Sequence, residues 1–122
     1  MRFFLLLAPT IALVLYGQLM TKWRVGELLS RGALGSSVVD RLLGYLQDPL
    51  VLSGYGAAFL SSLTWLIVVE KYPLSYAFPI YIGLVFAFVA LGSSLILGEH
   101  LSAMRLVSIA LILVGIIVGS VS

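Results

Sequence analysis

Apolar residues gather in four long runs along this chain, at 3–20, 50–69, 75–97 and 106–121, and most charged residues lie between or beside them. A helix rises ~1.5 Å per residue, so ~20 residues cross the ~30 Å hydrocarbon layer of a bilayer. Backbone donors and acceptors find no water there, which selects helices over open strands. The pattern predicts an all-α membrane protein with four transmembrane helices in one small bundle, a single domain over 1–122.

The segment between the first two runs has a pattern of its own. From Ser37 it reads SVVDRLLGYLQ, with Val38, Val39, Leu42, Leu43 and Leu46 on one helical face and Asp40, Arg41 and Gln47 opposite. This predicts a short amphipathic helix over 37–47, lying in the headgroup region or against the bundle. Ser37 and Asp40 have the spacing of a capping pair. Gly32, Gly35 and Ser36 read as a turn before it. Asp48-Pro49 closes the segment and opens the second transmembrane helix, with proline in its first turn.

Composition excludes several classes of function. Hydrophobic residues make up 61% of the chain and charged residues 10%, where soluble domains carry about 25% charged residues. The net charge of +2 comes from lysines and arginines near the helix ends and gives no footprint for nucleic acid. Without cysteine there is no disulfide and no zinc–thiolate site, and the single His100 cannot build a histidine cluster. No Ser/His/Asp set or paired carboxylates stand at catalytic spacing, so neither an enzyme nor a cofactor is expected. Arg2 before an apolar run has the look of a secretory signal. The run is too long, however, and reaches Gln18, Lys22 and Arg24 without a small-x-small cleavage site, which predicts a retained helix.

Basic residues set an orientation. Lys22, Arg24, Arg31 and Arg41 follow the first run and Arg105 follows the third, against Arg2 and Lys71 on the opposite side. The positive-inside rule then places the first and third connections in the cytoplasm and both termini outside, with dual topology as the alternative.

Lipid tails are as apolar as leucine, so helices in a bilayer associate where small residues let backbones approach. The second run offers Ser53, Ala57 and Ser61 flanked by Gly54, Ala58 and Ser62. The third offers Gly83, Ala87, Ala90, Ser94 and Gly98. Gly115 and Gly119 form a GxxxG in the fourth, which fits either an interface with a second subunit or packing within this one. Pro79 predicts a bend in the third helix where it lines a cavity or moves, or a static kink. Pro9 reads as static. Gln18 is the main polar group at depth. Thr64, Trp65, Tyr76 and Tyr81 form a candidate polar-aromatic cavity. Glu70 and Glu99 sit at helix ends and Asp48 precedes the second run, so no carboxylate lies mid-membrane.

Three motifs resemble those of a known family. Gly17-Gln18-Leu19-Met20-Thr21-Lys22 is similar to the Gly-Gln-x-x-x-Lys ending of the first helix in the drug/metabolite transporter superfamily. Tyr72-Pro73-Leu74-Ser75-Tyr76-Ala77-Phe78-Pro79 resembles its proline-led third helix. Gly98-Glu99-His100-Leu101-Ser102 matches its Gly-Glu-x-Leu-Ser joint. The likeness covers most of the chain outside 25–49 and has the length of a single four-helix repeat. It is closest to the subunits that flip undecaprenyl-phosphate-aminoarabinose, and more distant from the small multidrug resistance and EamA-type transporters. The small multidrug resistance proteins carry an essential glutamate in helix 1. Aligned on Gly17 it falls near Val14, so the chain departs from them at the residue that carries proton and cation exchange.

The resemblance implies a flippase of a polyprenyl-phosphate-linked sugar in the bacterial inner membrane, working as a homodimer or as a heterodimer with a related subunit. Cation or metabolite efflux and a scaffold for a glycosyltransferase are the alternatives. On this reading Lys22, helped by Arg24, attracts the phosphate, while Gln18, Tyr76 and Tyr81 hydrogen-bond or stack on the sugar and Trp65 lines the cavity. Both cations also fit the role of interfacial anchors, Arg24 better than Lys22. Glu99 reads as a cap or a bridge to Arg105 at the joint between the third and fourth helices.

Overall fold

The computed structural model describes residues 2–32 and 35–121, so the ends of the expected domain, Met1 and Ser122, and Ala33 and Leu34 within it lie outside the described residues. Among the described residues five helices follow one another: α1 (Arg2–Ser30), α2 (Val38–Gln47), α3 (Pro49–Lys71), α4 (Leu74–Leu97) and α5 (Ala103–Ser120). Four of them, α1, α3, α4 and α5, are long and apolar enough to cross a membrane. The chain is therefore a multi-pass membrane protein.

The helix ends follow their local chemistry. Ser37 Oγ accepts the Asp40 N–H at 3.1 Å, as the capping spacing predicted. Asp48 caps α3 by accepting the Val51 N–H at 3.0 Å, and Pro49 takes the first helical position, where its missing N–H costs no bond. α4 ends on Gly98, whose φ of 73° is left-handed. That turn returns the Glu99 N–H to the Ser93 carbonyl at 3.1 Å.

α1 runs ten residues past its expected end at Met20. The charged residues after Met20 take the helix out of hydrocarbon but do not unwind it. The same stripe continues through Thr21, Arg24 and Leu28. Its apolar half holds Phe3, Leu7, Thr10 and Gly17, which are buried along with Leu28.

α1 packs antiparallel on α3 along that stripe. A Cβ at Gly17 would lie 2.8 Å from the Gly54 carbonyl oxygen, so the two backbones touch. At mid-membrane Thr10 is 1% exposed and its hydroxyl lies 2.6 Å from that of Thr64. Thr64 gives its own proton to the Ser61 carbonyl at 2.9 Å, so Thr10 is the donor to Thr64. α1 also packs on α4, where Leu19 fills the notch at Gly92.

The fourth crossing helix departs from the expected bundle. α5 makes its packing contacts on α4, where Ile112 and Ile116 sit over Gly83, and Ile109 is its one buried residue among those described. The arrangement is a three-helix core of α1, α3 and α4 with α5 outside it. Large apolar side chains cover the outer surfaces, as lipid contact requires. α2 touches α3 and leaves Val38, Val39, Leu42, Leu43 and Leu46 at least half exposed.

Gly17→Leu should force α1 and α3 apart and cost about 1–3 kcal/mol, the usual range for overpacking. Denaturation in detergent micelles measures it. Gly56→Leu, where a Cβ meets nothing within 4 Å, should leave stability nearly unchanged.

Candidate functional site

The alternating direction of the crossing helices brings Lys22, Arg24, Asp48, Glu99 and Arg105 to one end of the molecule. Two ion pairs there differ sharply. Arg24 Nε and Nη2 bond both carboxylate oxygens of Asp48 at 3.0–3.1 Å. Their side chains are 16% and 8% exposed. The fork of hydrogen bonds from Arg24 holds the Asp48 carboxyl below the usual carboxylate range. Burial opposes that shift and the Val51 N–H assists it. Arg24 is thus committed to the α3 cap, and this places it outside the phosphate-binding pair expected from the sequence. It is also no snorkelling anchor, since it turns back into the protein.

Lys22 takes the other face of α1. Its Nζ lies 3.9 Å from Glu99 Oε2, with side chains 66% and 41% exposed. The expected Glu99–Arg105 bridge does not form among the described residues. The left-handed turn at Gly98 directs Glu99 back to α1, while Arg105 begins α5 and borders a separate groove of about 330 Å³ with Phe86, Ala90 and Ser93. Glu27, also near Lys22, is paired with Arg31 at 3.4 Å.

The Lys22–Glu99 pair spans a crevice between α1 and α4. A groove of about 240 Å³ is lined by Gln18, Leu19, Lys22, Val89, Ser93, Leu97 and Glu99. A second of the same volume shares Lys22, Leu97 and Glu99 and adds Trp23, Gly26 and Glu27. Gln18 and Lys22 are therefore brought together, as the motif at the end of α1 implied. Gln18 lines this groove, is exposed and makes no hydrogen bond among the described residues.

The aromatic residues do not join them. Tyr81 lies twelve residues before Ser93, ~18 Å along the axis of α4. Tyr76 lies ~26 Å away by the same measure. The two tyrosines also diverge from each other, because five residues turn a helix by ~140°. Tyr81 packs on Trp65 with ring centroids 4.7 Å apart, and Phe78 joins them. Tyr76 packs on Phe3 at 5.0 Å and borders a cavity of about 470 Å³ with Ser75, Pro79, Gly115, Ile116 and Gly119. Thr64 is spent on Thr10. Trp65, Tyr76 and Tyr81 all pack against the cluster of Phe3, Leu7, Val68, Ala77 and Ile80, and of the four expected residues Tyr76 is the one that borders the 470 Å³ cavity. Among the described residues, a Cβ built at Gly115 meets no atom within 4 Å, so Gly115 is not packed closely against them.

Sequence reasoning passed over Ser93 and Asp48 as site residues. Ser93 borders the grooves of both Lys22 and Arg105. It carried no signal apart from its place beside the small-residue seam. Asp48 was legible only as the boundary before the second transmembrane helix, and nothing in a separation of 24 residues announces its pairing with Arg24.

Comparison of the chain with protein-family models, with curated proteins and with solved structures finds no match.

The Arg24–Asp48 pair predicts a pH dependence. The carboxyl titrates lower in the folded state than in the unfolded chain, whose ordinary value is ~3.9. Its stabilisation is therefore present above that value and is lost as pH falls through the folded one. Melting temperature in micelles should drop as pH is lowered below about 4. Asp48→Asn should melt lower at neutral pH and lose this part of the acid dependence.

Proposed function

We propose that this protein carries an anionic amphiphile, of the polyprenyl-phosphate-linked sugar type, across the bacterial inner membrane without changing it chemically. One observation carries the reading: an exposed cation, Lys22, stands with Gln18 at the mouth of a crevice between two membrane-spanning helices. An amphiphile of this kind leaves its tail in lipid and needs protein only for its head. Moving a charged head through hydrocarbon unaided costs several kcal/mol or more. Lys22 neutralises the phosphate at the mouth, while Gln18 and Ser93 supply hydrogen-bonding groups for the sugar. The Gly-Gln-x-x-x-Lys and Gly-Glu-x-Leu-Ser motifs, which resemble the drug/metabolite transporter superfamily, meet at this crevice. No carboxylate lies mid-membrane, which disfavours proton-coupled cation efflux.

On this reading the Lys22 end faces the cytoplasm, by the excess of basic residues there, and both termini face outward. α2 lies in the headgroup layer of that side, its exposed leucines and valines in lipid and Asp40 and Arg41 in water. The working unit is a dimer, with itself or a related subunit, in which the partner covers α5 and the cavity beside Gly115. The tyrosines serve elsewhere on the path, since their distance from Lys22 prevents both from holding one head at once.

Two measurements test these statements. Lys22→Ala should insert normally and lose at least tenfold in the rate of flipping a polyprenyl phosphate sugar in reconstituted vesicles. An unchanged rate rejects phosphate capture. Gly115→Trp should convert the dimer to a monomer in mild detergent, read by light scattering, with helical content retained.

A further inference from the structure

Lys22 has a carboxylate partner in Glu99, and the character of that pairing is informative. The two side chains approach only to 3.9 Å and stay largely in contact with solvent. Exposed pairs of this kind contribute little to stability, so the pair opens readily. The Arg24–Asp48 fork, 3.0–3.1 Å long and nearly buried, is of the opposite kind. Breaking a buried pair strands a charge. The protein thus places one fixed and one exchangeable ion pair at the same end.

Position supports exchange at Lys22. Glu99 is the carboxylate paired with it, since Glu27 is held by Arg31 and Asp48 by Arg24. The Glu99 backbone is fixed by the left-handed Gly98 and by its bond to the Ser93 carbonyl, whereas its side chain is 41% exposed. The pair bridges the two grooves on either side of the α1–α4 crossing, because Lys22, Leu97 and Glu99 line both.

We propose that Glu99 is an internal stand-in for the ligand's anionic group. It pairs with Lys22 and is displaced when a phosphate-bearing amphiphile enters the crevice. This rests on the reading of Lys22 as the anion-capture residue and adds a specificity-determining role for Glu99. A neutral or zwitterionic lipid gains too little from Lys22 to open the pair, and a phosphomonoester or phosphodiester head replaces one anion with another. Glu99 then repels the bound head and assists its departure. It is a positioning residue, acting through Lys22.

The test uses the full chain in phosphatidylcholine nanodiscs, with Trp65→Phe as the optical background. Trp23, which borders the same groove as Lys22 and Glu99, is then the sole tryptophan. Its fluorescence is titrated with dodecyl phosphate and, separately, with uncharged dodecyl glucoside. Glu99→Gln should bind dodecyl phosphate about two- to tenfold more tightly, the scale of an exposed ion pair and the repulsion removed with it. It should bind dodecyl glucoside as before. Lys22→Gln should lose the preference for phosphate whether or not Glu99 is intact. Equal phosphate affinity in the parent and Glu99→Gln proteins overturns the exchange while Lys22 capture stands. Equal tightening toward both probes also overturns it, because the substitution would then only have widened the crevice. Undiminished phosphate binding by Lys22→Gln removes capture itself, and the exchange with it.

Discussion

The contact of two backbones at Gly17 and Gly54 constrains the rest of the molecule. Inside a bilayer no hydrophobic force draws helices together, and they hold where their surfaces fit. A side chain at Gly17 would strike the Gly54 carbonyl, and one at Gly54 would strike the Thr21 hydroxyl. Their absence lets α1 and α3 close. Along the same seam, one turn after another, lie the Thr10–Thr64 hydrogen bond toward one end and the Arg24–Asp48 fork at the other. Both need the separation and the register that the glycines set. With one side of α1 committed to α3, the rotation of the helix is fixed. Leu19 then meets Gly92, and Lys22 meets Glu99 across α4.

The extension of α1 beyond the hydrocarbon follows from that seam. Residues 21–30 carry Lys22, Arg24 and Glu27, which have no place in lipid tails, yet the helix continues because Arg24 finds Asp48 and Leu28 is buried. Asp48 answers two needs with one carboxylate. It caps the first turn of α3, where orphan N–H groups and the helix dipole favour an anion, and it neutralises Arg24. A pair engaged in this way is structural. That leaves Lys22 as the cation at this end of α1 able to meet a ligand, and the functional proposal narrows to one residue where the sequence offered Lys22 and Arg24.

Much of the architecture was legible because each feature depends on neighbours in sequence. The four crossing helices follow from run length, α2 from its 3.6-residue periodicity, and the starts of α2 and α3 from Ser37 and from Asp48-Pro49. The pairing of Gln18 with Lys22 was local in the same sense, four residues apart on one helix. What escaped were the associations between helices. Glu99 has Arg105 six residues ahead and Lys22 far behind, and only the tertiary packing decides between them. The direction of Glu99 depends on a left-handed glycine whose neighbours in space are unknown to the sequence. The tyrosines were grouped by chemistry, though the helical turn between positions 76 and 81 already separates their faces. The separation of α5 from the core had a sequence correlate as well. Its run carries small residues in Gly115 and Gly119, but α4 meets it instead through Gly83, beneath Ile112 and Ile116.

The position of α5 bears on how a head group would be enclosed. A crevice between α1 and α4 has two helical walls, and the remaining sides open to lipid or to whatever lies against the outer helices. A charged head crossing there needs a polar surround along its whole course, since each stretch facing hydrocarbon restores the barrier the protein must lower. The subunit places Lys22 at one end and a cavity of about 470 Å³, beside Ser75, Tyr76 and Gly115, at the other. Pro79 lines that cavity. Between these ends α4 runs through Ile82, Leu84, Val85, Phe86, Phe88 and Val89, none with a polar side chain. On the proposed function, the missing polar surround has to come from a second subunit laid against α4 and α5, which makes association a requirement of transport and not only of stability.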